Sequence, residues 1–171
     1  VLGTHVFDLM RFFAGDPLWC FAHVTTAGRE LNRADVRDGA EGIGPLAGDS
    51  IAALYAFPNH VHASVGTQAN DDRSGLRWGL DLFGSQGILT IRAGMDPFVW
   101  ILHSNTWAPD FGPKKAVWEK VPAPEGSGGG QIAGNVRLVR DLIEATEQDR
   151  QPLSSGYDGR WSLEMILAVY A

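Results

Sequence analysis

Residues 50–68 read SIAALYAFPNHVHASVGTQ and contain two segments rich in apolar residues, one on each side of Pro58 and Asn59. The apolar pattern in both segments has a period of about two, which is typical of β-strands, and Pro-Asn is a turn-forming pair. The stretch therefore predicts a β-hairpin, whose two strands run antiparallel.

The same period continues on both sides of this hairpin. A second hairpin is predicted around Ser85, Gln86 and Gly87, and single strands are predicted in two further segments. The segments read LWCFAHVTTAG (18–28), LRWGLDLFGSQGILTIRAG (76–94) and DPFVWILHS (96–104). Because short turns and no helices join these strands, they predict an antiparallel sheet rather than βαβ units. Residues 28–49 and 123–130 lack apolar periodicity and are interpreted as surface loops.

Three helices are predicted around the strands from apolar residues spaced three and four apart. Thr4 is placed to cap the first helix and Gly15 to end it, and the third helix is expected to run to the last residue. The predicted apolar faces are Val6, Leu9, Met10 and Phe13, then Ile132, Val136, Val139 and Ile143, then Leu163, Ile166, Leu167 and Tyr170. This order predicts a single α+β domain over residues 1–171, an open, mainly antiparallel β-sheet with helices packed on one face.

The composition excludes several classes of function. Of the 171 residues, 44% are hydrophobic and 20% are charged, with a net charge of −6, which argues against nucleic acid as a partner. No apolar run approaches the roughly 18 to 20 residues that span a bilayer, so no membrane association is expected. Cys20 is the single cysteine, so neither an internal disulfide nor a thiolate zinc site is expected, and a cytoplasmic location fits best.

The strand at 96–104 is apolar on both of its sides. Phe98, Trp100 and Leu102 alternate with Val99 and Ile101, a pattern too apolar for a sheet face left in water. We therefore expect self-association, as a homodimer or higher oligomer, through the sheet face that the helices leave open.

Two motifs invite a functional interpretation, and each also has a simpler one. GSGGG at 126–130 precedes a helix, but it lacks a leading strand and the G-x-G-x-x-G pattern, so a flexible loop is favoured over a phosphate cradle. His60 and His62 alternate and are expected to point the same way along one strand, as two metal ligands would. No carboxylate follows before Asp71, so ordinary strand histidines are favoured over a metal-dependent enzyme.

His5 combines a titratable side chain, a nearby glycine and a position at the start of a helix, off its apolar stripe. These features suit an acid-base residue, and they equally suit a surface or capping-region histidine. The chemistry of the sequence leaves both interpretations open.

Three motifs together resemble one family. GTHVFDLMRFFAGDP is similar to the G-x-H-x-x-D-L helix that opens the C-terminal domain of the glucose-fructose oxidoreductase, inositol dehydrogenase and rhizopine catabolism (Gfo/Idh/MocA) family. GSQGILTI resembles the G-x-x-G-x-L-x-I hairpin of the family, and YDGRWSLEMILAVYA resembles its terminal helix. The implied fold is of the dihydrodipicolinate reductase and glyceraldehyde-3-phosphate dehydrogenase C-terminal type.

The resemblance implies the substrate-binding and dimerisation half of an NAD(P)-dependent dehydrogenase acting on a sugar, polyol or related hydroxyl compound. The Rossmann domain that holds NAD or NADP in the family is expected upstream of Val1, so this fragment alone is expected to bind no cofactor and to be inactive. His5 is implied as the catalytic residue, and Gly3, Thr4 and Asp8 as substrate-binding residues.

The sequence departs from the family pattern at one position. Where the family places an Asp four residues before its active-site histidine, this chain has Val1, which cannot orient an imidazole. A non-enzymatic dimerisation or binding module derived from the family is therefore the alternative hypothesis.

Overall fold

The computed structural model describes residues 2–39, 42, 44–68, 78–93, 97–106, 116–125 and 130–171. The helices are α1 (Leu2–Ala14), α2 (Gly130–Glu147) and α3 (Gly156–Ala168), with 3-10 turns at Arg33–Asp35 and Pro58–His60. The strands are β1 (Trp19–Thr26), β2 (Arg29–Glu30), β3 (Arg37–Asp38), β4 (Pro45–Leu46), β5 (Ser50–Ala56), β6 (His62–Gln68), β7 (Trp78–Gly84), β8 (Gly87–Ala93), β9 (Phe98–His103) and β10 (Trp118–Lys120). In the part of the chain described, no helix is both long and apolar enough to cross a membrane.

The chain forms two compact units. Unit 1 comprises Val1–Asp71 and Arg160–Ala171, and unit 2 comprises Asp72–Gly159. Unit 1 contains the sheet β2-β1-β5-β6 and the ribbon β3-β4, whereas unit 2 contains the sheet β10-β9-β8-β7. Every strand pair among the residues described is antiparallel, so the predicted α+β class with mainly antiparallel sheets is confirmed.

Both predicted hairpins are confirmed. β5 pairs with β6 so that Ala56 lies opposite His62, and the turn between them contains Asn59 with a φ of 58°. β7 pairs with β8 around Ser85 and Gln86. At the start of β8, an added Cβ on Gly87 would collide with the backbone carbonyl oxygen of Leu102, so glycine allows β9 to approach closely there.

The core of unit 1 centres on Tyr55, whose side chain is fully buried. Its ring meets the ring of Phe7 from α1 edge to face, with centroids 5.6 Å apart. Its hydroxyl donates a hydrogen bond of 2.5 Å to the backbone carbonyl of Met165 in α3. Because one side chain of β5 contacts both helices, α1 and α3 pack on the same face of this sheet, as the sequence predicts.

The predicted buried face of α1 is wrong in detail. The helix begins at Leu2, so Thr4 lies inside it and does not cap it, and Phe13 is 43% exposed. Met10 is buried as predicted, and Phe7 is buried in place of Phe13 because its ring contacts Tyr55. The predicted end is confirmed, since Gly15 has a φ of 85° and donates its N–H to the carbonyl of Arg11.

The predicted core stripe of α2 lies on the exposed side of the helix. Ala145 is the buried residue of α2 among the side chains described, at 2% exposure. It lies nearly opposite the stripe around the helix, because it is two residues from Ile143 and nine from Val136, which are roughly 160° and 180° of rotation. The stripe residues Ile132, Val136, Val139 and Ile143 are all more than half exposed.

The predicted face of α3 is also wrong. Met165, Val169 and Ser162 are buried, whereas Leu163 is 55% and Leu167 58% exposed. The helix ends at Ala168 rather than at the last residue. The contact of the Met165 carbonyl with Tyr55 fixes which of two apolar faces turns inward.

Residues 28–49 are more ordered than the predicted loop. They contain β2, β3, β4 and a 3-10 turn whose capping box joins Asn32 and Asp35. The hydrogen bond from the Arg29 guanidinium, and then that from the Asn32 N–H, lowers the pKa of Asp35 to about 2. Polar contacts order this segment, which explains why apolar periodicity did not reveal it.

Candidate functional site

The four predicted site residues lie in the first two turns of α1. Gly3, Thr4, His5 and Asp8 are all exposed, and Val1 lies outside the described residues. His5 and Asp8 are three apart, so they are neighbours on one side of the helix. That side faces away from the stripe formed by Phe7 and Met10, as the sequence predicts for a histidine that is not part of the core.

Phe12 lies on the same side of α1, one turn beyond Asp8, and it is 78% exposed. His5, Asp8 and Phe12 therefore form a continuous strip of imidazole, carboxylate and phenyl ring on the exposed face of the helix. Phe12 carries no recognisable signal in the sequence, because a phenylalanine beside Phe13 gives no sign of which ring faces solvent.

The Asp8 side chain has a partner in α3. The Ser162 hydroxyl donates a hydrogen bond of 3.3 Å to Asp8 Oδ1, linking residues 154 positions apart in sequence. Ser162 is 2% exposed, and within the described ranges it and Tyr55 are the buried side chains that carry a hydroxyl. Ser162 is not among the site residues predicted from the sequence. The available signal was a hydroxyl between Trp161 and Leu163 in an otherwise largely apolar helix segment.

This arrangement suits proton transfer from a hydroxyl group of a bound molecule. An imidazole gains or loses a proton near neutral pH, and a carboxylate accepts hydrogen bonds from hydroxyl groups. The exposed face of α1 offers both groups within one helical turn. The geometry is therefore compatible with the catalytic role that the family resemblance implies for His5.

A separate cavity of about 240 Å³ lies in unit 1 between the start of β1 and α3. Its lining residues are Pro17, Leu18, Trp19, Cys20, Tyr55, Trp161, Glu164, Met165 and Ala168. Burial, and then the neighbouring Cys20 thiol, raises the pKa of the Tyr55 hydroxyl. Cys20 is half-buried, which agrees with a mainly structural thiol, and none of the lining residues belongs to α1.

The predicted geometry of the histidine pair is wrong. His60 ends the 3-10 turn with a φ of 61°, and β6 begins only at His62. The two side chains therefore do not alternate along one strand. The His62 ring lies beside Trp19, with centroids 6.2 Å apart. No group of three or more His, Cys, Asp or Glu residues suited to a metal ion occurs among the residues described.

The described strands differ in pairing from those of the usual dinucleotide-binding unit. Every strand pairing among them is antiparallel, whereas the usual pyrophosphate-binding turn lies within a parallel βαβ unit. Of the glycine run at 126–130, residues 126–129 lie outside the described residues, and Gly130 begins α2.

Several solved structures share this fold. UDP-N-acetylglucosamine 3-dehydrogenase from Acidithiobacillus ferrooxidans matches with a TM-score of 0.68 and 18% identity over 97% of this chain and 45% of its own. Aldose-aldose oxidoreductase from Caulobacter crescentus, solved with glycerol, matches with a TM-score of 0.65 and 18% identity over 98% of this chain and 42% of its own. An NAD binding oxidoreductase from Klebsiella pneumoniae matches with a TM-score of 0.71 and 14% identity over 98% of this chain and 46% of its own.

These matches confirm the family resemblance at the level of the fold. The chain has the fold of the C-terminal domain of Gfo/Idh/MocA oxidoreductases, and it spans less than half the length of the structures it matches. No protein-family model matches the sequence. No curated protein matches it either.

Proposed function

We propose that this chain is the substrate-binding half of an NAD(P)-dependent oxidoreductase that acts on a hydroxyl group of a sugar, polyol or related compound. The observation that carries the proposal is the fold match over almost the whole chain to enzymes that include a sugar-nucleotide dehydrogenase and an aldose oxidoreductase. The placement of His5 and Asp8 together on the exposed face of α1 supports it.

In this proposal each residue of α1 has a distinct role. His5 accepts the proton of the substrate hydroxyl, and Asp8, Gly3 and Thr4 contact neighbouring groups of the substrate. When bound, NAD(P) serves as the hydride acceptor, and it is held by a Rossmann domain in the full-length protein rather than by this fragment. A cytoplasmic enzyme fits a chain with a single cysteine.

Measuring cofactor binding tests the proposal that the Rossmann domain holds NAD(P) and this chain holds the substrate. We expect calorimetry to detect no binding of NAD⁺ or NADP⁺ to the 171-residue chain, because its described strands form no βαβ unit. The full-length protein is expected to bind one of the two and to reduce it when supplied with sugars or polyols. Micromolar binding by the chain alone, or no binding by the full-length protein, would contradict the proposal.

The second part of the proposal is that the chain forms a homodimer. A homodimer is also expected under the alternative hypothesis of a non-enzymatic dimerisation or binding module. On β1 and β5, Phe21 lies directly opposite Leu54, and these side chains are 70% and 38% exposed. Trp19 is 50% exposed two residues from Phe21, and so points to the same face. This apolar patch lies on the sheet face away from Tyr55, and a second copy would cover it.

We expect Phe21→Ser to weaken self-association by at least about 10-fold, because exposed aromatic residues at the centre of an interface contribute strongly to affinity. Sedimentation equilibrium of the chain measures the effect. Leu153→Ser is the matched control, since Leu153 is 88% exposed in the connection before α3 and outside the patch. A parental chain that remains monomeric at micromolar concentration would argue against the homodimer.

A further inference from the structure

We propose that Ser162 is a positioning residue, which fixes the orientation of the Asp8 carboxylate beside His5. The inference rests on the proposed function, because it assigns Asp8 a place in the substrate site. Its physical basis is the hydrogen bond of 3.3 Å from the Ser162 hydroxyl to Asp8 Oδ1.

The Ser162 hydroxyl is held in place by its surroundings. Its side chain is 2% exposed, and a buried hydroxyl needs hydrogen-bond partners because leaving them unmade is costly. Met165 lies three residues further along the same helix, and its carbonyl accepts the bond from Tyr55. This bond anchors α3 to β5 close to Ser162. The Ser162 hydroxyl therefore has a fixed position relative to α1.

Asp8 is exposed apart from this contact region, so a free carboxylate there would sample several rotamers. The bond to Ser162 occupies one oxygen and restricts rotation of the side chain. Asp8 lies one turn from His5 on the same side of α1. Restricting the Asp8 side chain therefore also fixes where a negative charge lies relative to the imidazole. The last helix of the chain thus acts on the substrate site without contacting substrate.

The first experiment measures kcat and KM in the full-length protein. We expect Ser162→Ala to lower kcat by ~10- to 100-fold, the scale of a small misplacement of a reacting group. Ser162→Thr keeps the hydroxyl and is expected to recover most of the loss. Val169→Ala is the matched control, because Val169 is buried at 6% exposure directly after the end of the same helix. We expect this control to lower thermal stability and leave kcat near the parental value.

A double-mutant cycle separates the contact from its function. Ser162→Ala and Asp8→Asn, alone and together, are compared in the free energy of unfolding of the chain and in kcat of the full-length protein. Coupling in both supports the proposal. No coupling in unfolding, or coupling in unfolding with none in kcat, overturns it. The proposed function itself fails by a different result, namely full activity of a His5→Ala variant.

Discussion

Replacing His5 with Ala in the full-length protein is expected to lower kcat by about 100-fold or more, the usual scale for losing a general acid or base. The fold should survive, because His5 is exposed on α1 while Phe7 and Met10 make the buried contacts. Steady-state kinetics over the pH range, with circular dichroism as the check on folding, measures the effect.

The control for this experiment is another histidine of unit 1. His23 lies on β1, exposed and paired with Glu30 at 2.8 Å, and it has no place in the proposed site. We expect His23→Ala to retain the parental kcat. If the His5→Ala enzyme oxidises its substrate at the parental rate at every pH, His5 is only a residue near the end of a helix.

Replacing Met165 with Ala is expected to destabilise the chain by about 2–5 kcal/mol, the range for removing a large side chain from a well-packed core. Met165 is 1% exposed, and its backbone carbonyl accepts the Tyr55 hydroxyl bond that joins α3 to β5. Chemical denaturation of the chain, followed by circular dichroism, measures the change.

Leu167→Ala on the same helix provides the comparison, because Leu167 is 58% exposed. Its loss should cost well under half as much as that of Met165. The reverse order would mean that the apolar face expected from the sequence, with Leu163 and Leu167 inward, is the buried one.

The strands followed from the sequence because their signals are local. Pro58 and Asn59 form a turn between two apolar segments, and Ser85 and Gln86 do the same in unit 2. A turn and its flanking strands are close in sequence, so their chemistry fixes the pairing without knowledge of the rest of the chain.

The buried faces of the helices could not be predicted from the sequence. In α3 the reason is that the helix has two apolar faces. Leu163 and Leu167 are as apolar as Met165 and Val169, and periodicity cannot rank one face over the other. Contacts with Tyr55 and Asp8, distant in sequence, make the choice. The division between the two faces is therefore a tertiary effect.

The candidate site divides in the same way. His5 and Asp8 are neighbours within one helical turn, so their proximity could be inferred from spacing alone. Ser162 joins them from a helix 154 positions away from Asp8 in sequence, and no local pattern connects the two. The sequence thus predicts that His5 and Asp8 lie together on α1. It does not predict that the Ser162 hydroxyl bonds to Asp8.

Unit 1 is interrupted in sequence, since all of Asp72–Gly159 is synthesised between its two segments. A ribosome adds roughly 5–20 residues per second, so a nascent chain carries Tyr55 without its Met165 acceptor for several seconds. During that interval α3 is absent, so α1 and β5 lack the helix that packs on the same face of the sheet. A message truncated before Arg160 would yield a protein that lacks both Ser162 and Met165. Completion of translation is therefore a condition for assembling the candidate site.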